Sequence, residues 1–162
     1  RLQRDALDQP GVASVIVLIG INDISWPGTA FVRQQARPTL AELQDGYRAL
    51  AEQAHRRGLR ILGATLPPFA GALPGTPLDD YYQPGKEALR QQLNTWLRTR
   101  SPFDAVIDLD TALRDPADPS RMAAAYDSGD HLHPGDAGNQ AMAEAVDLEV
   151  LMGPSTHGVD LL

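Results

Sequence analysis

The sequence predicts an α/β fold, three layers deep (α/β/α) with a parallel sheet in the middle, from three observations. Strand-like and helix-like segments alternate along the 162 residues. The strand segments are almost unbroken apolar runs instead of alternating ones, which is how strands covered on both faces read. Each long helical segment carries a single apolar stripe, so strand–helix–strand units with right-handed crossovers would lay helices on both faces of the sheet.

Residues 1–11 (RLQRDALDQPG) open with Leu2, Ala6 and Leu7, the tail of a helix stopped by Pro10-Gly11. Residues 12–20 (VASVIVLIG) form a β-branched run that reads as a central strand. Thr39-Leu-Ala-Glu42 is a capping-box pattern, followed by Leu40, Leu43, Tyr47, Leu50 and Ala54 on one stripe until Gly58 ends the helix. A second strand covers 60–66, Pro67-Pro68 closes it, and a Gly/Pro-rich loop runs over 69–85; loops this long in compact domains are often functional. A helix over 86–98 turns Leu89, Leu93, Trp96 and Leu97 inward, and Ser101-Pro102 precedes a third strand at 105–109. The last helix spans about 136–150 with Asp136 as N-cap. Three strands are fewer than such sheets usually hold, and a chain that opens mid-helix with no start signal reads as a fragment. Residues 1–150 then form the C-terminal part of one domain and 151–162 a tail, aperiodic from Gly153 onward.

Composition narrows the function. A net charge of −7, with 14 Lys+Arg that form no block, argues against nucleic acid or an anionic membrane as partner. The absence of cysteine removes disulfides, thiolate metal sites and Cys nucleophiles. The longest apolar run, 12–21, is too short to span a bilayer.

Ligands of doubly wound sheets sit outside the carboxyl ends of the strands, where the loops after Gly20, Leu66 and Leu109 and the turn Asp130-His-Leu-His-Pro134 should meet. In Gly20-Ile21-Asn22-Asp23 the glycine permits a sharp turn and Asn22 can aim an amide N–H into the rim; ordinary Asn-Asp turn chemistry is the competing reading. Asp130 can fix the tautomer of His133 and stabilise its imidazolium, the base half of a triad, although a polar loop before a helix would look similar. A metal site built from Asp130, His131 and His133 is a third reading, weakened because adjacent residues of one tight turn seldom face one ion. Otherwise His131 is a bystander with no evident partner, His55 and His157 are surface residues, and Asp108 and Asp110 could contribute to the rim.

With Gly20-Ile-Asn-Asp23 after a buried strand and Asp130-x-x-His133 before the last helix, the sequence resembles the SGNH/GDSL hydrolase superfamily of esterases and acylhydrolases. The likeness covers essentially the whole chain: VIVLIGINDI is similar to that family's third block and SGDHLHPGDAGNQAMAEAV, the more specific match, to its fifth. Within it, the nearest flavour is the secreted bacterial acylhydrolases and xylan-utilisation arylesterases. The resemblance implies a flavodoxin-like sheet, ester hydrolysis through an acyl-serine intermediate without metal or cofactor, and secretion. It assigns His133 as general base, Asp130 as its orienter, Asn22 as side-chain oxyanion donor, and Gly20 and Asp23 as shapers of the Asn22 loop.

The family's nucleophile belongs to a Gly-Asp-Ser block, and none of Ser14, Ser25, Ser101, Ser120, Ser128 and Ser155 follows a Gly-Asp pair. Ser128 adjoins the acid in the same turn and lacks a strand-to-helix setting. What the resemblance implies is therefore the C-terminal portion of a longer hydrolase, with two more strands and the nucleophile expected from a missing N-terminal portion. Such a portion would be inactive alone, and its partners are a small-molecule or carbohydrate ester and that missing segment, in the same chain or as a separate one. Strand 12–19 should then present an apolar edge. Loops 25–37 and 69–85, with Trp26, Phe31, Phe69, Tyr81 and Tyr82, would shape the substrate pockets. A non-catalytic flavodoxin-like binding or scaffold domain is the rival from another class.

Overall fold

The computed structural model describes residues 2–153. Three parallel strands, β1 (Ser14–Val17), β2 (Arg60–Ala64) and β3 (Ala105–Ile107), pair in the order β1-β2-β3, with Ser14 opposite Arg60 and Leu62 opposite Ala105. Parallel neighbours need long crossovers, supplied here by α2 (Leu40–His55) between β1 and β2 and α3 (Pro84–Arg100) between β2 and β3. The side-chain period of two divides β2 between two cores. Ile61 packs with Leu43, Tyr47 and Ala54 of α2 and with Leu93, Trp96 and Leu97 of α3. Leu62 and Ala64 face the other way, with Ile107, against Met142, Ala145, Val146, Val150 and Leu151. Those residues belong to α5 (Asp136–Glu144), α6 (Leu148–Met152) and the link between them. The result is the expected α/β/α sandwich. No helix among the described residues is long and apolar enough to cross a membrane.

Capping chemistry sets most boundaries. Thr39 and Glu42 form the reciprocal capping box that starts α2. Pro84 takes the first turn of α3, two residues earlier than the apolar stripe indicates, because proline costs a helix nothing there. The third strand stops at Ile107: Asp108 accepts from the Thr111 amide and caps α4 (Leu109–Leu113). The single helix expected over 136–150 is two, since the Asp147 carboxylate accepts from Glu149 N and Val150 N and nucleates α6; Gly135, not Asp136, is the N-cap of α5. α6 runs across the expected tail boundary at 150, and residues 154–162, with His157, lie outside the described residues. The N-terminal helix is one π-helical turn, Gln3–Leu7, that buries Leu7.

The expected central strand at 12–20 is shorter and lies at the edge of the described sheet, leaving Ile16 43%, Leu18 39% and Ile19 50% exposed. His55 is not a surface residue: its side chain is only 15% exposed, with Nε2 3.2 Å from the buried carboxylate of Asp104. Asp104 also accepts from the Ile61 amide, so it joins α2 to the start of β2.

Asp108 and Asp110 prove to be structural, not free rim carboxylates. Arg90, fully buried, donates to Leu66 O (2.6 Å), to Asp110 Oδ1 (2.5 Å) and, through Nε and Nη2, to the Glu87 carboxylate. Arg98 donates to both Asp108 and Asp110. Burial alone would raise the Asp108 carboxyl, but hydrogen bonds from Arg98, Thr111 and Thr65 hold it well below the usual carboxylate range. Asn94 adds two bonds to the Leu66 peptide, one to its N–H and one to its carbonyl.

Breaking this network from one side leaves a buried charge unpaired. Arg90→Met is expected to lower the unfolding free energy by about 3–5 kcal/mol in urea titrations. Gly63 tests the packing on the Ile61 face of β2: a Cβ there would stand 2.0 Å from the Phe103 ring. Gly63→Ala should cost about 1–3 kcal/mol by overpacking, and a neutral result would show that Phe103 can move aside.

Candidate active site

The first site element is built at the exit of β1. Gly20 adopts φ +112° as N-cap of the five-residue helix α1 (Ile21–Ser25), and a Cβ there would lie 2.8 Å from the Tyr47 hydroxyl. Glycine is thus required twice over, by backbone conformation and by the Tyr47 hydroxyl, which donates to Ile19 O (2.5 Å). The turn carries Asn22 and Asp23 to an exposed position on α1. Asn22 Oδ1 accepts from the hydroxyl of Tyr81, 2.5 Å away, a residue buried to 2% exposure. Its Nδ2 has no protein partner among the described residues. Asp23 helps raise both phenols after burial has done most of the work, Tyr81 to about 12.

The second element is the turn before α5. Asp130 Oδ1 accepts from Leu132 N (2.9 Å), His133 N (2.8 Å) and Ser128 Oγ (3.1 Å). Its Oδ2 lies 2.6 Å from His133 Nδ1, leaving Nε2 of an imidazole 67% exposed. Burial alone would raise the Asp130 carboxyl, but the bonds from His133, Leu132 and Ser128 outweigh it and hold the group well below its ordinary range.

His131 does have an orienting partner, contrary to the sequence reading. Its Nδ1 pairs with Asp127 Oδ2, while Asp127 Oδ1 takes the amides of Gly129 and His131. The turn therefore holds two carboxylate–imidazole pairs, and the four-residue spacing of Asp127 and His131 was the overlooked signal. Each imidazole turns a nitrogen to its own acid, and among the described residues no three His, Asp or Glu side chains are grouped to hold a metal ion.

One apolar cluster joins the two elements. Phe69, Ala72 and Tyr81 form its buried centre, with Ile21, next to Asn22, and Leu132, next to His133, packed against it. The Leu73 amide donates to Asp130 O (2.8 Å), tying the 69–85 loop to the His turn. The aromatics divide by role: Phe69 and Tyr81 are buried anchors, whereas Trp26 and Phe31 stack, 6.0 Å between centroids and nearly parallel, 39% and 62% exposed. A groove of about 770 Å³ borders Gly20 and Asp23 on the β1 side, walled by Arg37, Glu42, Tyr47 and Leu50. Four of the five described serine hydroxyls are hydrogen-bonded elsewhere: Ser14 donates to Leu151 O, Ser120 to Asp118 and Ser128 to Asp130, and Ser101 accepts from Phe103 N; the fifth, Ser25, is fully buried, and its Oγ has no hydrogen-bond partner among the described residues. Ser155 lies outside the described residues.

Residues 1–141 match the model of the GDSL-like lipase/acylhydrolase family. No curated protein sequence matches this chain significantly. Among solved structures, a GDSL-like lipase from Bacteroides thetaiotaomicron superposes with a TM-score of 0.62 at 15% identity, over 85% of this chain and 62% of that one. A catalytic mutant of an acetylxylan esterase from Geobacillus stearothermophilus superposes with a TM-score of 0.50 at 18% identity, over 85% of this chain and 58% of that one. At these identities the likeness is one of fold, and the chain spans about three fifths of the length of the structures it matches.

Because the Asp130 carboxyl is lowered in the folded protein, its contribution to stability is complete above about pH 4 and is lost as pH falls from there toward the lower folded value. The carbonyl-carbon NMR signal of the Asp130 side chain should therefore stay at its ionised position below about pH 4, the range in which an unperturbed aspartate protonates. A midpoint in the ordinary aspartate range, near about pH 4, would show that the turn does not hold the acid.

Proposed function

The chain belongs to the GDSL-like lipase/acylhydrolase family, and on that premise we propose that it provides the base, the orienting acid and one oxyanion donor of a serine ester hydrolase. The observation that carries the reading is the 2.6 Å contact between Asp130 Oδ2 and His133 Nδ1. An acid held there by three further donors keeps the proton on Nδ1, so Nε2 can take the serine proton as Oγ attacks the ester carbon. Asp130 then faces the imidazolium, and Asn22 Nδ2 donates to the oxygen that gains charge. Collapse of the tetrahedral intermediate expels the alcohol with the proton from His133. Water, deprotonated by the same nitrogen, releases the acid from the acyl-serine.

The nucleophile, in this reading, comes from a segment outside these residues, in the same polypeptide or a separate one. Two features support that: the described serines are either hydrogen-bonded elsewhere or, for Ser25, sealed from solvent, and β1 offers an apolar edge beside the groove at Gly20 and Asp23, a place for further strands. The substrate is a small-molecule or carbohydrate ester, with the exposed Trp26–Phe31 stack as a surface for a sugar or aryl group. Secretion belongs to the same proposal. The bonded or buried serines equally favour the scaffold reading for the 162 residues alone, so the test must use both forms.

In the longest natural form of the protein, a fluorophosphonate probe should label one serine and p-nitrophenyl acetate should be hydrolysed, while the isolated 162 residues do neither. His133→Ala should lower kcat by about 10³-fold or more and Asn22→Ala by about 10²–10³-fold, whereas His131→Ala stays near wild type. A long form that neither labels nor turns over leaves the scaffold reading. Labelling of a serine within the isolated chain would refute the external nucleophile.

A further inference from the structure

We propose that Tyr81 is a positioning residue for Asn22, holding the amide with its oxygen inward and its NH₂ toward the rim; this rests on the hydrolase reading above. The terminal torsion of an asparagine is broad and roughly two-fold, so an exposed Asn22 without an anchor would present oxygen and nitrogen in turn. Only the nitrogen stabilises an oxyanion; the oxygen repels it. The flipped amide would leave the phenol accepting from NH₂ with its own proton unused. With Oδ1 inward, 2.5 Å away, the phenol donates to the stronger acceptor, and this favours the amide with its nitrogen outward.

Tyr81 is itself fixed. It is 2% exposed, its ring meets Phe69 edge-on at 6.2 Å, and its amide donates to Leu78 O. The ammonium of buried Lys86 sits 6.0 Å from the ring centroid. That ammonium donates to Ser25 O (2.6 Å) and to Asp80 O (3.0 Å), so one charge ties the last residue of α1 to the residue preceding Tyr81. The short helix that carries Asn22 is thereby held at its end by Lys86 and at its amide by Tyr81. Burial, reinforced by Asp23, moves the phenol to about 12, and the hydroxyl keeps its proton throughout the neutral range.

Both a positioning role and a purely structural role predict that Tyr81→Phe does harm; they differ in how. In the longest natural form, Tyr81→Phe should lower kcat for p-nitrophenyl acetate roughly tenfold with little change in KM, and should cost almost nothing further in an Asn22→Ala background. An effect of equal size in both backgrounds, or one confined to KM, overturns the proposal. Asn22→Ala equal to wild type would instead refute the oxyanion reading and leave the Tyr81 contact to be judged by a second measurement. That measurement needs no variant and serves even if Tyr81→Phe does not fold. In the unmutated protein the Tyr81 hydroxyl proton should be protected from exchange and show a nuclear Overhauser contact to the Asn22 side chain. A rapidly exchanging hydroxyl overturns the proposal.

Discussion

The site depends on one buried guanidinium. Arg90 has no solvent contact, and a charge in that position is tolerable only because each edge of its fork is occupied: Leu66 O, Asp110 and Glu87 take its protons. Together with Asn94 it fixes the Leu66 peptide, the point where β2 gives way to the long loop. That loop delivers Phe69 and Tyr81 to the cluster beneath Asn22, and through Leu73 N it reaches the carbonyl of Asp130. Asp110, shared with Arg98, extends the same constraint to the exit of β3. Two of the strand exits that bound the rim are thus locked by one polar network, which makes the rim sensitive to mutations well below it.

The two halves of the candidate site are held by different physics. The His133 half is local: Asp130 gathers the amides of Leu132 and His133, the Ser128 hydroxyl and the His133 ring within four residues of itself, so the turn nearly specifies its own geometry. The Asn22 half is assembled at long range, its amide held by a residue 59 positions away and its helix end by one 61 away. Local unfolding of the long loop would therefore disorient Asn22 while leaving the acid–imidazole pair formed. Loss of activity without loss of the pair is the expected signature of damage to loop 69–85.

The edge of the sheet shows a third constraint. The run at 12–19 has the composition of a strand covered on both faces, yet Ile16 of β1 and Leu18 and Ile19 just beyond it stay partly exposed. The neighbouring groove ends at Gly20 and Asp23, at the root of the Asn22 loop. Any segment that completes the sheet there arrives next to the proposed oxyanion donor, which is the position from which a nucleophile could be presented.

Period and punctuation in the sequence determined the α/β/α sandwich, because apolar runs, stripes and the Thr39–Glu42 box are read by the chain within a few residues of themselves. The same holds for Asp130–His133, whose partners are neighbours in sequence. What was not legible depended on distant contacts or on competition between local signals. Asp147 outcompeted the continuation of the last helix, and Asp108 became a cap and ion-pair partner because Arg98 and Thr65 lie across from it. His55 became part of the interior because Asp104 packs over it. Tyr81 looked like one pocket aromatic among five, and only packing against Phe69 and Lys86 turned its hydroxyl onto Asn22. Residue type and spacing determine which groups are available for chemistry, whereas the orientation of an amide or the partner of a carboxylate is decided by tertiary packing, since a hydrogen bond specifies direction only once both of its ends are fixed in space.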